Sequence, residues 1–365
     1  MRTAFLVLAL VACVVPAGTT SADFYLINTL DLSNTNYFGS PLFDNNSPYG
    51  TNPSAITTDG NSIWVAGFNG GTGSTAGVVR IDNPWGVPTA TGLVSQTTPG
   101  SRGYSGLAYD PVSGAVFAAY DNGAASAKGI AAYNVSDNTE RWAKNARGGS
   151  GVAYDPGFGG IDSGAAWTTF GSGRRALQNA ISGVDIYTTS NGMIINDGSG
   201  TFWRDMYFAP DGDIWTRRSN GVLYGNRTGG NSCTVSTLVA PQGSADFVNG
   251  QNIAYLDGLA GGDLVIYNDR PSTAFGQVWS SCIKLLNADG TPNLTTNFLK
   301  GDGTPLDPGF GLGAGYFDFA WDSAGEYLLV ADYNNRVVYR FSTIPEPASL
   351  LLLGLGTAVC LRRRR

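Results

Sequence analysis

Aspartate is the residue type in this chain with the widest scope for acid–base or metal chemistry. The sequence has no histidine, which excludes Ser-His-Asp and Cys-His catalysis, histidine-ligated zinc and histidine-ligated haem. Between the two termini the only glutamates are Glu140 and Glu326. A base that works near neutral pH would therefore be an aspartate whose pKa is raised by burial or by a second carboxylate. No spacing in the sequence indicates such a pair, although a glycosidase with two aspartates stays open.

Four aspartates share one local context, in which a strand-like run ends in Asp and a turn follows. They are Asp59, Asp110, Asp155 and Asp322. A carboxylate in this position accepts backbone N–H groups in an Asx-type turn, and we expect this structural role rather than contact with a ligand or metal. The sequence predicts no cofactor and no metal site, with Ca²⁺ as the open alternative. The segment 287–290 lacks the spaced ligands of a calcium loop and is predicted to be a hairpin turn.

Charge and cysteine content narrow the function classes further. The net charge of −6 argues against nucleic-acid binding, which needs a clustered basic face. The two basic pairs, Arg174-Arg175 and Arg217-Arg218, are expected at solvent-exposed strand edges. Away from the termini the chain has two cysteines, Cys233 and Cys282. They form either one disulfide in an oxidising compartment or two isolated thiols.

One short sequence motif occurs in six copies along the chain, at intervals of about 45 to 65 residues. The six copies begin at Ser54, Gly106, Gly151, Asp205, Asn252 and Phe317. Each copy is followed by a turn and a second alternating strand, and most by a third. Such short strands with turn signals, and no convincing long helix, predict an all-β chain of repeated antiparallel sheets.

The strand–Asp–turn–strand motif resembles the hairpin of NHL-type and other six-bladed β-propellers. Residues 284–294 with 296–298 are also similar to the delta-60 repeat, itself a propeller unit. The resemblance implies a six-bladed propeller over residues 23–343 and carries over no catalytic residue. The last copy has only three strands, so we expect an N-terminal strand at Asp23–Asn28 to complete it, because a closed ring leaves no exposed sheet edge.

Aromatic residues recur on the predicted strands. They are Trp64, Trp167, Trp215, Trp321 and Tyr109. We expect them to pack between neighbouring blades, and a platform on which sugar rings stack is the alternative.

Both chain ends have the character of targeting segments. Residues 1–22 form a predicted signal peptide, with an apolar stretch from Ala4 to Val15 and cleavage between Ala22 and Asp23. Residues 344–365 contain Pro345-Glu346-Pro347, a short apolar run expected to be a transmembrane helix, and a terminal arginine cluster. That cluster consists of Arg362, Arg363, Arg364 and Arg365.

This C-terminal order closely resembles the PEP-CTERM sorting signal of exported bacterial proteins. The resemblance implies removal of the tail by an exosortase, a membrane-embedded protease, usually in bacteria that make exopolysaccharide. We therefore expect the protein to be exported through the inner membrane, anchored transiently by the C-terminal helix, and delivered to the cell surface or the medium once the tail is removed.

Two functions from different classes follow. The favoured hypothesis is a non-enzymatic surface or matrix protein that binds polysaccharide or another envelope component. The alternative is a secreted hydrolase or lyase with an Asp-based, Ca²⁺-assisted site in the central funnel of the propeller. Three or more converging carboxylates would favour the enzyme, and an exposed aromatic strip would favour the binding protein.

Overall fold

The computed structural model describes residues 22–69, 75–97, 102–121, 128–147, 150–169, 172–195, 203–218, 221–239, 252–269, 282–306 and 315–344. Nearly all of the predicted leader, the Pro345-Glu346-Pro347 segment, the apolar run and Arg362–Arg365 lie outside these residues. No helix within the described ranges is long and apolar enough to cross a membrane.

Short strands that follow one another as antiparallel meanders make up most of the described chain. Strand β1 (Phe24–Asp31) and the single-turn helix α1 (Thr35–Phe38) come first. The first meander is β2 (Asn52–Thr58), β3 (Ser62–Asn69), β4 (Thr75–Asp82) and β5 (Thr89–Thr97). The second is β6 (Arg102–Asp110), β7 (Ala115–Asp121), β8 (Lys128–Asn134) and β9 (Glu140–Asn145). The third is β10 (Ser150–Asp155), β11 (Gly164–Thr168), β12 (Ala176–Asn179) and β13 (Asp185–Tyr187).

The second half of the chain continues the pattern. The fourth meander is β14 (Trp203–Phe208), β15 (Ile214–Arg218), β16 (Gly221–Gly229) and β17 (Ser232–Val239). The fifth is β18 (Ile253–Leu256), β19 (Leu264–Asn268) and β20 (Ile283–Asn287). Strands β21 (Phe298–Lys300), β22 (Phe317–Asp322), β23 (Tyr327–Asp332) and β24 (Val337–Ser342) follow. The terminal sheet has the order β21-β1-β24-β23-β22, and a short β3–β6 pairing joins the first two meanders into one sheet.

The recurring aspartates form the turns that follow the first strands. Asp59, Asp110, Asp155 and Asp322 each accept one or two backbone N–H groups from residues two or three positions further on, at 2.7–3.3 Å. This geometry confirms the predicted Asx-type turns. The segment 287–290 is likewise a turn, in which the Gly290 N–H donates to the carbonyl of Asn287 at 2.8 Å.

The first strands of the first four meanders share a β-bulge near their beginnings. The pairing register shifts between Pro53 and Ala55 in β2, and at the corresponding places in β6, β10 and β14. A bulge bends a strand and increases its twist. The first strands β6 and β10 also approach closely: a Cβ on Gly106 would lie 2.6 Å from the backbone nitrogen of Val152.

The N-terminal strand belongs to the terminal sheet. Strand β1 pairs antiparallel with β24, with Leu26 opposite Phe341, and this pairing confirms the prediction for the N-terminal strand. Phe24 is fully buried there and stacks on Phe298 at 5.1 Å between ring centroids. Just before it, the Asp23 carboxylate accepts hydrogen bonds from the backbone and side chain of Asn297, each at 2.9 Å.

The hydrophobic core lies between neighbouring meanders. Trp64, Trp167, Trp215 and Trp321 are all buried in these layers. The core interpretation is therefore confirmed for the tryptophans. Tyr109 is half-buried and stacks on Trp64 with nearly parallel rings, 6° apart.

The two arginine pairs were expected at solvent-exposed strand edges, and this expectation is wrong for three of the four arginines. Arg175, Arg217 and Arg218 are 0%, 1% and 4% exposed. A buried guanidinium needs a charged partner, and Asp155 accepts a hydrogen bond from Arg175 while Asp269 pairs with Arg217 at 3.0 Å. Asp155 ends a different strand of the same meander as Arg175, and Asp269 belongs to the meander after that of Arg217, so no local sequence pattern reveals these partners.

No disulfide joins the two cysteines. Cys233 packs beside the core cluster of the third and fourth meanders, and its Sγ lies 3.1 Å from the carbonyl of Ile194. Cys282 is buried in a different cluster, between the fifth meander and the terminal sheet. Of the two alternatives, the structure therefore has the one with separate thiols.

Candidate functional site

The first strands of the meanders surround a central cavity of about 400 Å³. Strands β2, β6, β10, β14, β18 and β22 all contribute to its lining. The six sequence copies therefore meet at one place, although they are spread over the whole chain. The volume is within the range of small-molecule sites. We call this cavity, with its lining from these six strands and the turns that follow them, the central channel.

Two aspartates of the central channel are tied to the backbone of other sheets. Asp318 on β22 accepts a hydrogen bond from the Ile56 N–H of β2 at 2.7 Å. Asp205 on β14 accepts one from the Ile253 N–H of β18 at 3.1 Å. Each carboxylate thus links its own strand to a first strand in a different sheet.

The position of these two aspartates can be found by comparing the six sequence copies. In the second copy the corresponding position is Gly106, where a side chain would collide with the next strand. The fourth and sixth copies have Asp205 and Asp318 at this position instead. An acidic residue at a strand position that is occupied by glycine in another copy is therefore a signal. It is missed when each aspartate is considered alone.

The environment of the channel raises the pKa of both carboxyl groups. Burial raises the pKa of Asp318 to about 7, although its hydrogen bonds to backbone N–H groups act in the opposite direction. Burial, and then the negative charge of Asp318, raise the pKa of Asp205 well above its ordinary value. The pair therefore holds a proton close to neutral pH. The sequence gives no direct indication of such a pair, and the structure contains one.

Aromatic side chains form much of the remaining lining. Tyr109, Tyr154 and Tyr207 are half-buried, and Trp321 is 8% exposed. The hydroxyl groups of Tyr109 and Tyr207 have no hydrogen-bond partner among the described residues, whereas the Trp321 indole donates to the carbonyl of Asp257 at 3.0 Å. The channel thus offers ring faces and free hydroxyl groups side by side.

The described lining has carboxylates and no cation. Asp59 and Asp322 join Asp205 and Asp318, and no lysine or arginine lines this part of the cavity. Clefts lined by one sign of charge attract ligands of the opposite sign and repel those of the same sign. Within the described ranges, no three acidic, cysteine or histidine side chains converge as a metal site.

The other two recurrent aspartates do not line the channel. Asp110 is fully buried in its turn, where its carboxylate also accepts from the Ser113 hydroxyl. Asp155 is fully buried and pairs with Arg175 of its own meander and with Arg227 of the fourth, the latter at 2.7 Å. These two carboxylates stabilise the fold and are not available to a ligand.

Comparison with known proteins identifies the C-terminal segment and the fold of the body. Residues 343–365 match the PEP-CTERM protein-sorting motif. The motif implies processing by an exosortase, which is a membrane protein, and therefore export and membrane-anchored sorting to the cell surface. No curated protein matches the sequence.

The solved structures that resemble the body include two auxiliary nutrient binding proteins. The one from Bacteroides thetaiotaomicron is 12% identical with a TM-score of 0.52 and covers 80% of this chain and 69% of its own. The one from Bacteroides ovatus is 14% identical with a TM-score of 0.50 and the same coverage. At this identity the likeness concerns the fold alone. The chain thus carries a PEP-CTERM sorting motif behind an all-β, propeller-like body.

Proposed function

We propose that this protein is an exported surface protein whose central channel binds a saccharide of the cell envelope or extracellular matrix. Its body is a six-bladed propeller over residues 23–343, and the contacts between the terminal sheet and the first meander support a closed ring. Besides the Asp318–Ile56 hydrogen bond, the Asn52 amide donates to the carbonyl of Tyr333 at 2.7 Å. Tyr316 donates to the carbonyl of Ser54 at 3.0 Å.

The two termini provide the route in this proposal. The leader is removed between Ala22 and Asp23, and the apolar run after Pro347 holds the body at the membrane as a short helix. The exosortase then cleaves near Pro345-Glu346-Pro347 and releases the body. The arginine cluster that ends the chain keeps its end in the cytoplasm until then.

The observation that carries the binding function is the combination of side chains in the channel. Tyr109, Tyr154 and Tyr207 present ring faces of the kind that stack on the apolar faces of sugar rings. The carboxylates of Asp205 and Asp318 have further lone pairs that can accept from sugar hydroxyl groups. The structural neighbours that are named as nutrient-binding proteins support a binding role on this type of scaffold.

A second function is favoured by one specific observation, the raised pKa values of Asp205 and Asp318. Two carboxyl groups with raised pKa values in one channel can supply an acid and a base near neutral pH, as glycoside hydrolysis requires. Against this function, both carboxylates accept backbone N–H groups that hold strands together. Their structural role explains their presence without catalysis.

A saccharide panel tests the proposal and separates it from the alternative. The processed protein is incubated with oligosaccharides from the producing organism's matrix, and both retention and release of reducing ends are measured. We expect retention without chain cleavage. Tyr207→Leu should weaken retention about tenfold through loss of ring stacking, whereas Tyr37→Leu, at an exposed site outside the channel, should not. Turnover that is lost in Asp205→Asn would establish the hydrolase instead.

A further inference from the structure

We infer that the central channel selects a positively charged saccharide, one with free amino groups, over neutral and acidic saccharides. This inference rests on the proposed function and adds the chemical class of the ligand. It follows from three features of the channel: the sign of its charge, the location of the nearby guanidinium groups, and the juxtaposition of Asp205 with an aromatic ring.

The sign of the charge excludes acidic sugars. A uronate bound in the channel would bring its carboxylate towards a lining that has four acidic side chains, those of Asp59, Asp205, Asp318 and Asp322. No lysine or arginine of the described lining could compensate that charge. Like charges brought together in a partly buried site cost binding free energy, so the channel discriminates against anions.

The arginines in this region lie inside the wall of the channel. Arg175 and Arg227 contact the ring of Phe208, with distances of 5.4 and 5.6 Å from the guanidinium carbon to the ring centroid. Phe208 itself lines the cavity, but both guanidinium groups are buried and pair with Asp155. They are therefore already committed to a carboxylate and do not reach a ligand.

Asp205 and Tyr207 are two residues apart on β14 and both line the channel, and this arrangement fits an ammonium group. Besides burial, the charges of Asp257 and Asp205 raise the pKa of the Tyr207 hydroxyl, so that it stays protonated and the ring stays neutral. An ammonium group donates up to three hydrogen bonds and is attracted to the face of an aromatic ring. Carboxylates beside tyrosine rings provide both kinds of contact, and a sugar amine can reach both while its ring stacks on Tyr109 or Tyr154.

Binding of such a ligand should also release a proton. In the empty channel Asp205 and Asp318 hold a proton close to neutral pH because burial disfavours two negative charges. An ammonium group bound in the channel supplies the positive charge that the proton supplied before, so the proton can leave. A neutral sugar gives no such exchange.

The test uses the processed protein and three oligosaccharides of equal length, built from glucosamine, N-acetylglucosamine and glucuronate. Calorimetry at pH 6 in two buffers of different ionisation enthalpy gives affinity and proton release together. We expect the glucosamine oligomer to bind about tenfold or more tighter than the N-acetylated one, because the ammonium makes charge-assisted hydrogen bonds. The glucuronate oligomer should not bind, and only the glucosamine oligomer should release a proton.

Variants locate the effect. Asp205→Asn and Asp318→Asn keep the acceptor for the backbone N–H groups but remove the acid, so the ratio of the affinities for the glucosamine and N-acetylglucosamine oligomers should fall to about one in each variant. Asp302→Asn removes the same charge at an exposed turn and is the control. Equal affinity for the glucosamine and N-acetylglucosamine oligomers would overturn the inference and leave the proposed function standing. Failure of all three saccharides to bind would overturn both.

Discussion

Asp205 and Asp318 face one channel from two different sheets, and the negative charge of Asp318 raises the pKa of Asp205. They are separated by more than a hundred residues of sequence. Each is also a structural link, through the N–H groups of Ile253 and Ile56. The same pair therefore couples the assembly of the sheets to the proton concentration.

The first prediction concerns stability and pH. Asp318 has a raised pKa in the folded state, so the folded protein binds a proton that the unfolded chain has already lost between about pH 4 and about pH 7. Its contribution to the free energy of unfolding is largest below about pH 4 and is lost as the pH rises through 7. The Asp318→Asn variant does not show this loss. At pH 8 we therefore expect its Tm to be about 5 °C higher than that of the wild type.

Thermal melts at pH 5, 6, 7 and 8 check this prediction. Two other acids around the channel, Asp205 and Asp257, also have a pKa raised mainly by burial and therefore contribute to the wild-type slope. Asp302→Asn, at an exposed turn, should keep the wild-type slope. If Asp318→Asn and the wild type show the same slope between pH 5 and 8, Asp318 is not the buried acid that we describe.

The second prediction concerns β1. Phe24→Ala should lower the free energy of unfolding by about 3 kcal/mol or more, because it leaves a cavity between Phe298 and Trp321. Tyr25→Ala is the matched control on the same strand, since Tyr25 is only half-buried. Chemical denaturation of the processed protein measures both variants. Equal losses in the two variants would mean that β1 does not close the terminal sheet through its buried face.

Much of the fold could be predicted from the sequence, because the repeated motif marks the first strand of each meander. The aspartates after these strands indicated the turns, and the unassigned strand at the N-terminus indicated its pairing with β24. These features depend on local patterns and on the physical cost of an exposed sheet edge. Both can be recognised without coordinates.

The candidate site was less accessible to sequence analysis, since its chemistry depends on contacts between remote segments. Asp318 accepts a hydrogen bond from the N–H of Ile56, which is 262 residues away in the sequence. Arg227 is 72 residues from Asp155. The burial of such groups results from how the sheets pack around the channel, which no single copy of the repeat specifies.

The third prediction concerns processing. The secreted form should begin near Asp23 and end close to Pro345, because the matched sorting motif covers residues 343–365 and the Asp23 carboxylate is already bound to Asn297 within the body. Intact-mass measurement of the protein from the medium checks both ends at once. A secreted form that still contains residues 348–365 would contradict exosortase processing, and the same measurement on a strain without the protease is the control.

The last prediction concerns the buried charges between the third and fourth meanders. Asp155 is the carboxylate that pairs with both Arg175 and Arg227, and all three side chains are buried. Asp155→Ala leaves two buried guanidinium groups without their carboxylate and should lower the free energy of unfolding by about 3–5 kcal/mol. Arg227→Met leaves Asp155 paired with Arg175 and keeps an apolar chain against Phe158, so it should cost clearly less. Denaturant unfolding of the two variants compares these losses directly. A larger loss in Arg227→Met than in Asp155→Ala would show that packing of the arginine side chain, rather than charge compensation, holds the two meanders together.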